Sequence, residues 1–240
     1  MSLAADAAVA SIWRDAGLDP AALGRLVLTG VEPGLSSSFA VSTAAQASLG
    51  AAALAATEIG RVRNGLEQRA SVDLVDAAVE CTGRFTVDGV APEVWDRIAG
   101  LYRTARGERD EWIRVHTNFA HHRDGLLRLL GLPEGPGTSA EAVAMAILGG
   151  DADALEEEAS ARGLVVARLR TFDEWDGHAQ AVAVAALPLV EIERIGDAPP
   201  LAWPALAAPA RPLDGLRVLD LTRILAGPVA GRTLAAYGAD

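Results

Sequence analysis

The chain has 240 residues, of which 50% are hydrophobic and 22% are charged, a balance typical of a globular protein and not of a disordered one. Its 32 acidic and 21 basic residues give a net charge of -11, which disfavours binding to nucleic acid. Its apolar runs are far shorter than the roughly 20 residues of a membrane span, and its single cysteine excludes an internal disulfide. We therefore expect a cytoplasmic protein with no nucleic-acid or membrane partner.

The first part of the chain predicts helices. Residues 4–16 are typical of a short helix and not of a signal peptide, because their apolar stretch contains an acidic residue and lacks a basic leader. Asp19 and Pro20 suit the N-cap and first position of the next helical turn. Residues 38–63 are rich in small side chains and lack proline. They predict a long, closely packed helix that ends at a left-handed Gly65.

A second, shorter helix is predicted directly after this long one. Residues 69–73 indicate a short extended piece, and residues 74–82 indicate the helix. Asp73 and Asp76 are placed to cap and charge its first turn. Cys81 lies in this helix among apolar residues, so a buried structural thiol is expected.

The middle of the chain alternates between strand and helix patterns. Strands are predicted at 112–118, 164–171 and 188–197. Helices are predicted at 123–132, 138–148, 151–162 and 171–175. This alternation predicts a small α+β domain over 84–197. The histidines of this region match no tight set of metal ligands, so no metal site is predicted.

A linker and a new structural unit follow the predicted α+β domain. The linker at 198–214 is rich in proline and alanine and has no charge until Arg211. Residues 216–221 then predict an apolar strand, and residues 227–237 predict a helix. This pattern indicates the first β-α unit of an open parallel sheet over 215–240. A parallel strand is buried on both faces and needs neighbours, so this unit is incomplete by itself.

The tail carries a recognisable motif. It consists of Asp220, Thr222, Arg223, the run Leu225-Ala226-Gly227-Pro228 and the ending Gly238-Ala239-Asp240. This motif resembles the opening signature of class III CoA-transferases, the family that includes formyl-CoA transferase and carnitine CoA-transferase. Upstream, Arg61, Gly65, Gln68 and the run 72–78 are similar to the family's arginine-ended helix, its Gly-Gln turn and the helix that follows.

The resemblance implies a helix-rich α/β protein with a partial class III CoA-transferase fold. Residues 1–83 would be the N-terminal helical part of the large domain, followed by the α+β domain, the linker and the β-α unit. In the family the signature precedes the small-domain landmarks, whereas here it follows them. This order predicts a tandem or a circularly permuted arrangement, and a whole protein roughly twice as long as this chain.

The resemblance also implies that a catalytic residue is missing. The family's nucleophilic aspartate lies about 25 residues before the glutamine that is Gln68 here, and it carries the acyl group as a mixed anhydride. Counting back reaches Ser42 and Thr43, and no acidic residue lies between Glu32 and Glu58. We therefore expect this half to be catalytically silent and assign it no catalytic residue. Whether the chain is an enzyme at all is left open.

The turn after the predicted strand is the expected CoA site. Its residues are Arg223, Ile224, Leu225, Ala226, Gly227 and Pro228. A strand-to-helix turn in an open sheet is a natural place for an anion. The resemblance implies CoA or acyl-CoA as a substrate, no separate cofactor, and a homodimer. The alternative is a non-catalytic acyl-CoA-binding or oligomerisation module.

Overall fold

The computed structural model describes residues 4–65, 67–83, 85–104, 111–199, 202–203, 205–206 and 210–240. Its helices are α1 (Ala5–Asp15), α2 (Val41–Asn64), α3 (Leu74–Cys81), α4 (Ala120–Leu129), α5 (Ala140–Ile147), α6 (Ala152–Ala161), α7 (Phe172–Asp176), α8 (Ala179–Ala185) and α9 (Ala226–Ala236), with a 3₁₀ helix at Pro20–Arg25. Its strands are β1 (Leu26–Thr29), β2 (Ala70–Asp73), β3 (Gly100–Thr104), β4 (Glu111–Val115) and β5 (Val166–Arg168). The prediction of a helix-rich α/β protein is confirmed.

The chain divides into two compact units. One contains Met1–Arg84 with Pro188–Asp240, and the other contains Phe85–Leu187. The finer division at 1–83, 84–197, 198–214 and 215–240 remains a prediction. None of the helices in the described ranges combines the length and apolar character that a membrane crossing requires.

The first unit is organised around a parallel strand pair and the long helix α2. Strands β1 and β2 run in register, from Leu26 opposite Ala70 to Thr29 opposite Asp73. A Cβ atom on Gly50 of α2 would lie 3.3 Å from Leu28 Cδ2, so the helix and strand approach closely. The buried side chains around them are Val9, Trp13, Ala22, Ala47, Ala51 and Leu54. The predicted close packing of small side chains is confirmed.

The caps predicted for the first unit are also present. The Asp19 side chain accepts a hydrogen bond from the Ala21 N–H, with Pro20 at the first helical position. Gly65 ends α2 with a φ of 73°, and its N–H donates to the Arg61 carbonyl over 2.8 Å. Glycine adopts this left-handed conformation without the steric cost that a Cβ atom would bring.

The second unit is a three-stranded antiparallel sheet packed against helices. The strand order is β3-β4-β5. Along β4 the side chains alternate, and Ile113 and Val115 are fully buried. The remaining buried core residues are Ile98, Tyr102, Leu126, Leu127, Val143, Ile147, Ala159 and Val166. Helices α4, α5 and α6 supply much of this core, so the α+β pattern predicted for this stretch is present.

Two predicted strands do not form in the described structure. Residues 188–199 have no regular secondary structure, and residues 216–221 form no ladder. The tail makes one parallel pairing, in which the Asp240 N–H donates to the Leu216 carbonyl over 2.8 Å and the Val218 N–H donates to the Asp240 carbonyl over 2.6 Å. A strand of this kind needs neighbours along its length, and the described residues supply one pairing only.

Other features of the structure also differ from the sequence-based predictions. Strands β1 and β3 and helix α8 were not predicted, because segments of four to seven residues show too little periodicity. Cys81 is exposed, so the expected buried thiol is wrong. It is the last residue of α3, whereas the buried residues of that helix lie between Leu74 and Ala78.

Candidate functional site

Polar side chains gather where the two parallel strands of the first unit end. Thr29 ends β1 and Asp73 ends β2, and the parallel register places them side by side. The Thr29 hydroxyl donates to Asp73 Oδ2 over 2.9 Å. Asp73 also accepts a hydrogen bond from the Val75 N–H over 2.9 Å, which caps α3 as the sequence predicts. These hydrogen bonds, the one from Thr29 first, hold the pKa of Asp73 below its ordinary value.

Gln46 of α2 joins the ends of the two strands. Its Nε2 group donates to the Thr29 carbonyl over 2.7 Å and to the Val72 carbonyl over 3.0 Å. The side chain is 3% exposed, so these two donors replace hydrogen bonds that water cannot supply there. The start of α2 is therefore fixed over the carboxyl end of the sheet, the usual place for a ligand in an open α/β fold.

Ser42 and Thr43 lie in the first turn of α2 and are both buried. The Thr43 hydroxyl donates to Glu32 Oε1 over 2.7 Å. The Ser42 hydroxyl oxygen accepts a hydrogen bond from the Leu35 N–H over 2.9 Å. Both hydroxyl groups are thus engaged by the loop that leads into α2.

Glu32 also belongs to this site, although the sequence pattern did not predict it there. It lies on the loop between β1 and α2, where its carboxylate also accepts a hydrogen bond from the Gly34 N–H over 3.1 Å. The bonds from Thr43 and then from Gly34 hold the pKa of Glu32 below its ordinary value. The carboxylate stays ionised and is a weaker base than an unperturbed glutamate.

Two glycines let this loop lie close to its neighbours. Gly30 has a φ of 92°, and a Cβ atom there would lie 2.8 Å from Leu74 Cβ. A Cβ atom on Gly34 would lie 2.9 Å from Ser42 Oγ. Glycine at both positions could have signalled a closely packed loop, but sequence spacing alone does not show which side chain the loop approaches.

The predicted CoA turn lies at the start of α9. Among the described residues, no side chain caps the N–H groups at this helix start, and a helix N-terminus of this kind favours an anion. A Cβ atom on Gly227 would lie 2.2 Å from Thr222 Cβ, so glycine allows the turn to pack on the helix. Asp220 accepts hydrogen bonds from the Thr222 hydroxyl and from the Thr222 N–H. The hydroxyl bond first, and then the N–H bond, lower the pKa of Asp220. Ile224 and Leu225 are exposed.

The position predicted for the missing nucleophile and the predicted CoA turn belong to different parts of the described structure. Ser42 and Thr43 belong to the polar cluster at the sheet end, and residues 223–228 belong to the start of α9. Within the described ranges, His, Cys, Asp and Glu side chains form no group of three suited to a metal ion.

One protein-family profile matches the tail of the chain. The profile of CoA-transferase family III matches residues 213–240, the segment that carries the sequence resemblance. No curated protein matches the chain.

Comparison with solved structures shows a related fold. The chain is similar to the hypothetical protein Rv3272 from Mycobacterium tuberculosis, with a TM-score of 0.50 and 19% identity over 61% of this chain and 44% of that one. An aspartate-to-alanine mutant of Rv3272 gives a TM-score of 0.50 and 17% identity over 71% of this chain and 50% of that one. This chain therefore spans about half the length of Rv3272.

Proposed function

Since residues 213–240 carry the CoA-transferase family III signature, we propose that this chain is one portion of a class III CoA-transferase-like protein. Such a protein transfers CoA between acyl-CoA thioesters and carboxylic acids. In this proposal the chain contributes the CoA-binding turn at 223–228 and lacks a working nucleophile. The observation that carries the proposal of silence is that Ser42 and Thr43, near which the family has its carboxylate, offer hydroxyl groups only, and that the Thr43 hydroxyl is hydrogen-bonded to Glu32.

The chemistry explains why this substitution silences the site. A carboxylate attacks a thioester without first losing a proton, and the mixed anhydride forms as the C–S bond breaks and CoA leaves as a thiolate. A hydroxyl must transfer its proton to a base to react in the same way. The base nearest to Thr43 is Glu32, whose pKa is lowered and whose carboxylate already accepts two hydrogen bonds. Proton transfer to such a group is unfavourable, so the pair serves to fix the loop on α2.

The CoA part of the proposal rests on the start of α9. Its uncapped N–H groups and the guanidinium of Arg223 suit the phosphates of CoA. The exposed Leu219 and Leu221 favour the alternative in which the tail also mediates oligomerisation.

Catalytic silence is tested by looking for an acyl group on the full chain. We expect no CoA transfer from a panel of acyl-CoA donors to carboxylic acids, and no acyl group trapped by hydroxylamine. If an acyl group is trapped, peptide mass spectrometry then locates the residue that carries it. An acyl group found on Glu32 and lost in Glu32→Gln, but retained in the control Glu157→Gln, would show that the loop supplies the nucleophile and would overturn the proposal of silence.

The CoA turn is tested separately by binding. We expect Arg223→Gln to weaken CoA binding about tenfold in isothermal titration, because one charge-assisted contact to a phosphate is removed. Arg217→Gln removes an arginine of the same tail from outside the turn and serves as the control. Equal effects of the two substitutions would show that CoA responds to the general charge of the tail and not to a site.

A further inference from the structure

The first unit contains a cavity at the far end of α2 from Thr43. It has a volume of about 450 Å³ and lies between α1, the last turns of α2 and Trp203. Arg61 lines this cavity. It lies 18 positions after Thr43, a distance of about 27 Å along a helix. We call this cavity the indole pocket, after Trp13 and Trp203. Its volume is within the range of small-molecule sites.

The walls of the indole pocket are apolar and include two aromatic rings. Trp13 is 3% exposed, and its Nε1–H donates to the Asp19 carbonyl over 2.9 Å. Since its polar atom is engaged, the ring offers only apolar surface. Trp203 is 45% exposed and Val62 is 78% exposed, so apolar surface remains open to a ligand. Flat aromatic groups stack well on such surfaces.

A positive charge lies beside these walls. Glu58 is paired with Arg25 over 2.6 Å and with Arg61 over 2.9 Å, so one carboxylate faces two guanidinium groups. Burial alone would raise the pKa of Glu58, but hydrogen bonds from Arg61 and Arg25 hold it below its ordinary value. Among the described residues Arg61 donates only through Nε, which leaves both of its Nη groups for an anion.

The same surroundings limit the charge of the ligand. Asp19 and Glu58 also line the pocket, and they repel a ligand with several negative charges, such as a polyphosphate. A single carboxylate can bind the Arg61 Nη groups without approaching both acids. We propose that the indole pocket binds an aromatic monocarboxylate, with the ring against the apolar wall that includes the exposed part of Trp203 and the carboxylate on Arg61.

The test compares an acid with a neutral molecule of the same shape. The probes are 2-naphthylacetate and 2-(2-naphthyl)ethanol, titrated into the full chain by calorimetry and tryptophan fluorescence. We expect the acid to bind about tenfold more tightly than the alcohol at low salt, and the difference to shrink as salt is raised. Absence of acid binding up to its solubility limit, or equal binding of both probes, would overturn the proposal.

Variants then locate the site. Arg61→Gln is expected to reduce the affinity for the acid to that for the alcohol, and Arg61→Lys to restore part of the difference. Trp203→Ala is expected to weaken both probes equally, because it removes a wall and not a charge. Arg14→Gln is the matched control, since Arg14 is on α1, is 72% exposed and does not line the pocket. If Arg14→Gln lowered the affinity for the acid as much as Arg61→Gln does, the proposal would fail.

Discussion

The two units bury their apolar residues in different ways. In the second unit, large aliphatic side chains such as Ile113, Val115 and Leu126 are fully buried in one continuous core. In the first unit the buried clusters depend largely on alanines, while Leu219 and Leu221 of the tail are 82% and 84% exposed. The second unit thus has a core of large side chains, although it also exposes apolar side chains such as Met145 and Phe172. The first unit has buried clusters of smaller side chains, and the exposed leucines of its tail are typical of a region that associates with further structure.

The strongest test of this comparison removes a core side chain from the second unit. Leu126→Ala should lower the free energy of unfolding by about 3–4 kcal/mol, because a fully buried leucine leaves a cavity. Urea denaturation measures the loss. Met145→Ala serves as the control, since Met145 is 71% exposed and should change stability by less than about 0.5 kcal/mol. Similar losses for both variants would show that the core is not continuous.

A smaller effect is expected where the first unit depends on a polar contact. Gln46→Leu should lower the free energy of unfolding by about 2 kcal/mol, because two strand carbonyls lose their buried donors. Hydrogen exchange should rise in β1 and β2 and remain unchanged in β3, β4 and β5. Ser48→Ala, on the exposed face of the same helix, should have little effect. An unchanged exchange rate in β1 and β2 would mean that Gln46 does not hold the strand pair.

The smallest effect should be the response of the first unit to acid. Glu32 and Asp73 both have folded-state pKa values below their ordinary values of 4.5 and 3.8. Their contribution is therefore present above those ordinary values and is lost as the pH falls through the lower folded-state values. Glu32 is solvent-exposed and Asp73 is partly exposed, so the effect is screened and small.

Paired variants measure this acid response. Glu32→Gln and Asp73→Asn should each flatten the dependence of unfolding free energy on pH in the acid range. Glu157→Gln, which changes an exposed acidic residue of α6, should leave the dependence as it is. A parent-like pH dependence in both test variants would indicate that neither carboxylate is linked to folding.

The sequence by itself determined features that depend on neighbouring residues. Helix α2 ends at Gly65 because an asparagine-glycine pair accepts a left-handed turn, and Asp73 caps α3 because its side chain reaches N–H groups two residues on. The match to the family profile at 213–240 is also local, since it lies within one short continuous segment of the chain. Local interactions of this kind form wherever the chain adopts the helix or turn concerned.

The tertiary structure alone decided which distant groups meet. Glu32 reaches Thr43 because Gly34 lets the intervening loop pack on α2, and Gln46 bridges two strands that are far apart in the chain. The guanidinium carbon of Arg63 lies 5.1 Å from the centre of the Trp203 ring, although 140 residues separate them. Residues 216–221 form no ladder, because a parallel strand depends on partners that its own sequence cannot supply. Contacts of this kind follow from the packing of whole elements, which short sequence patterns do not specify.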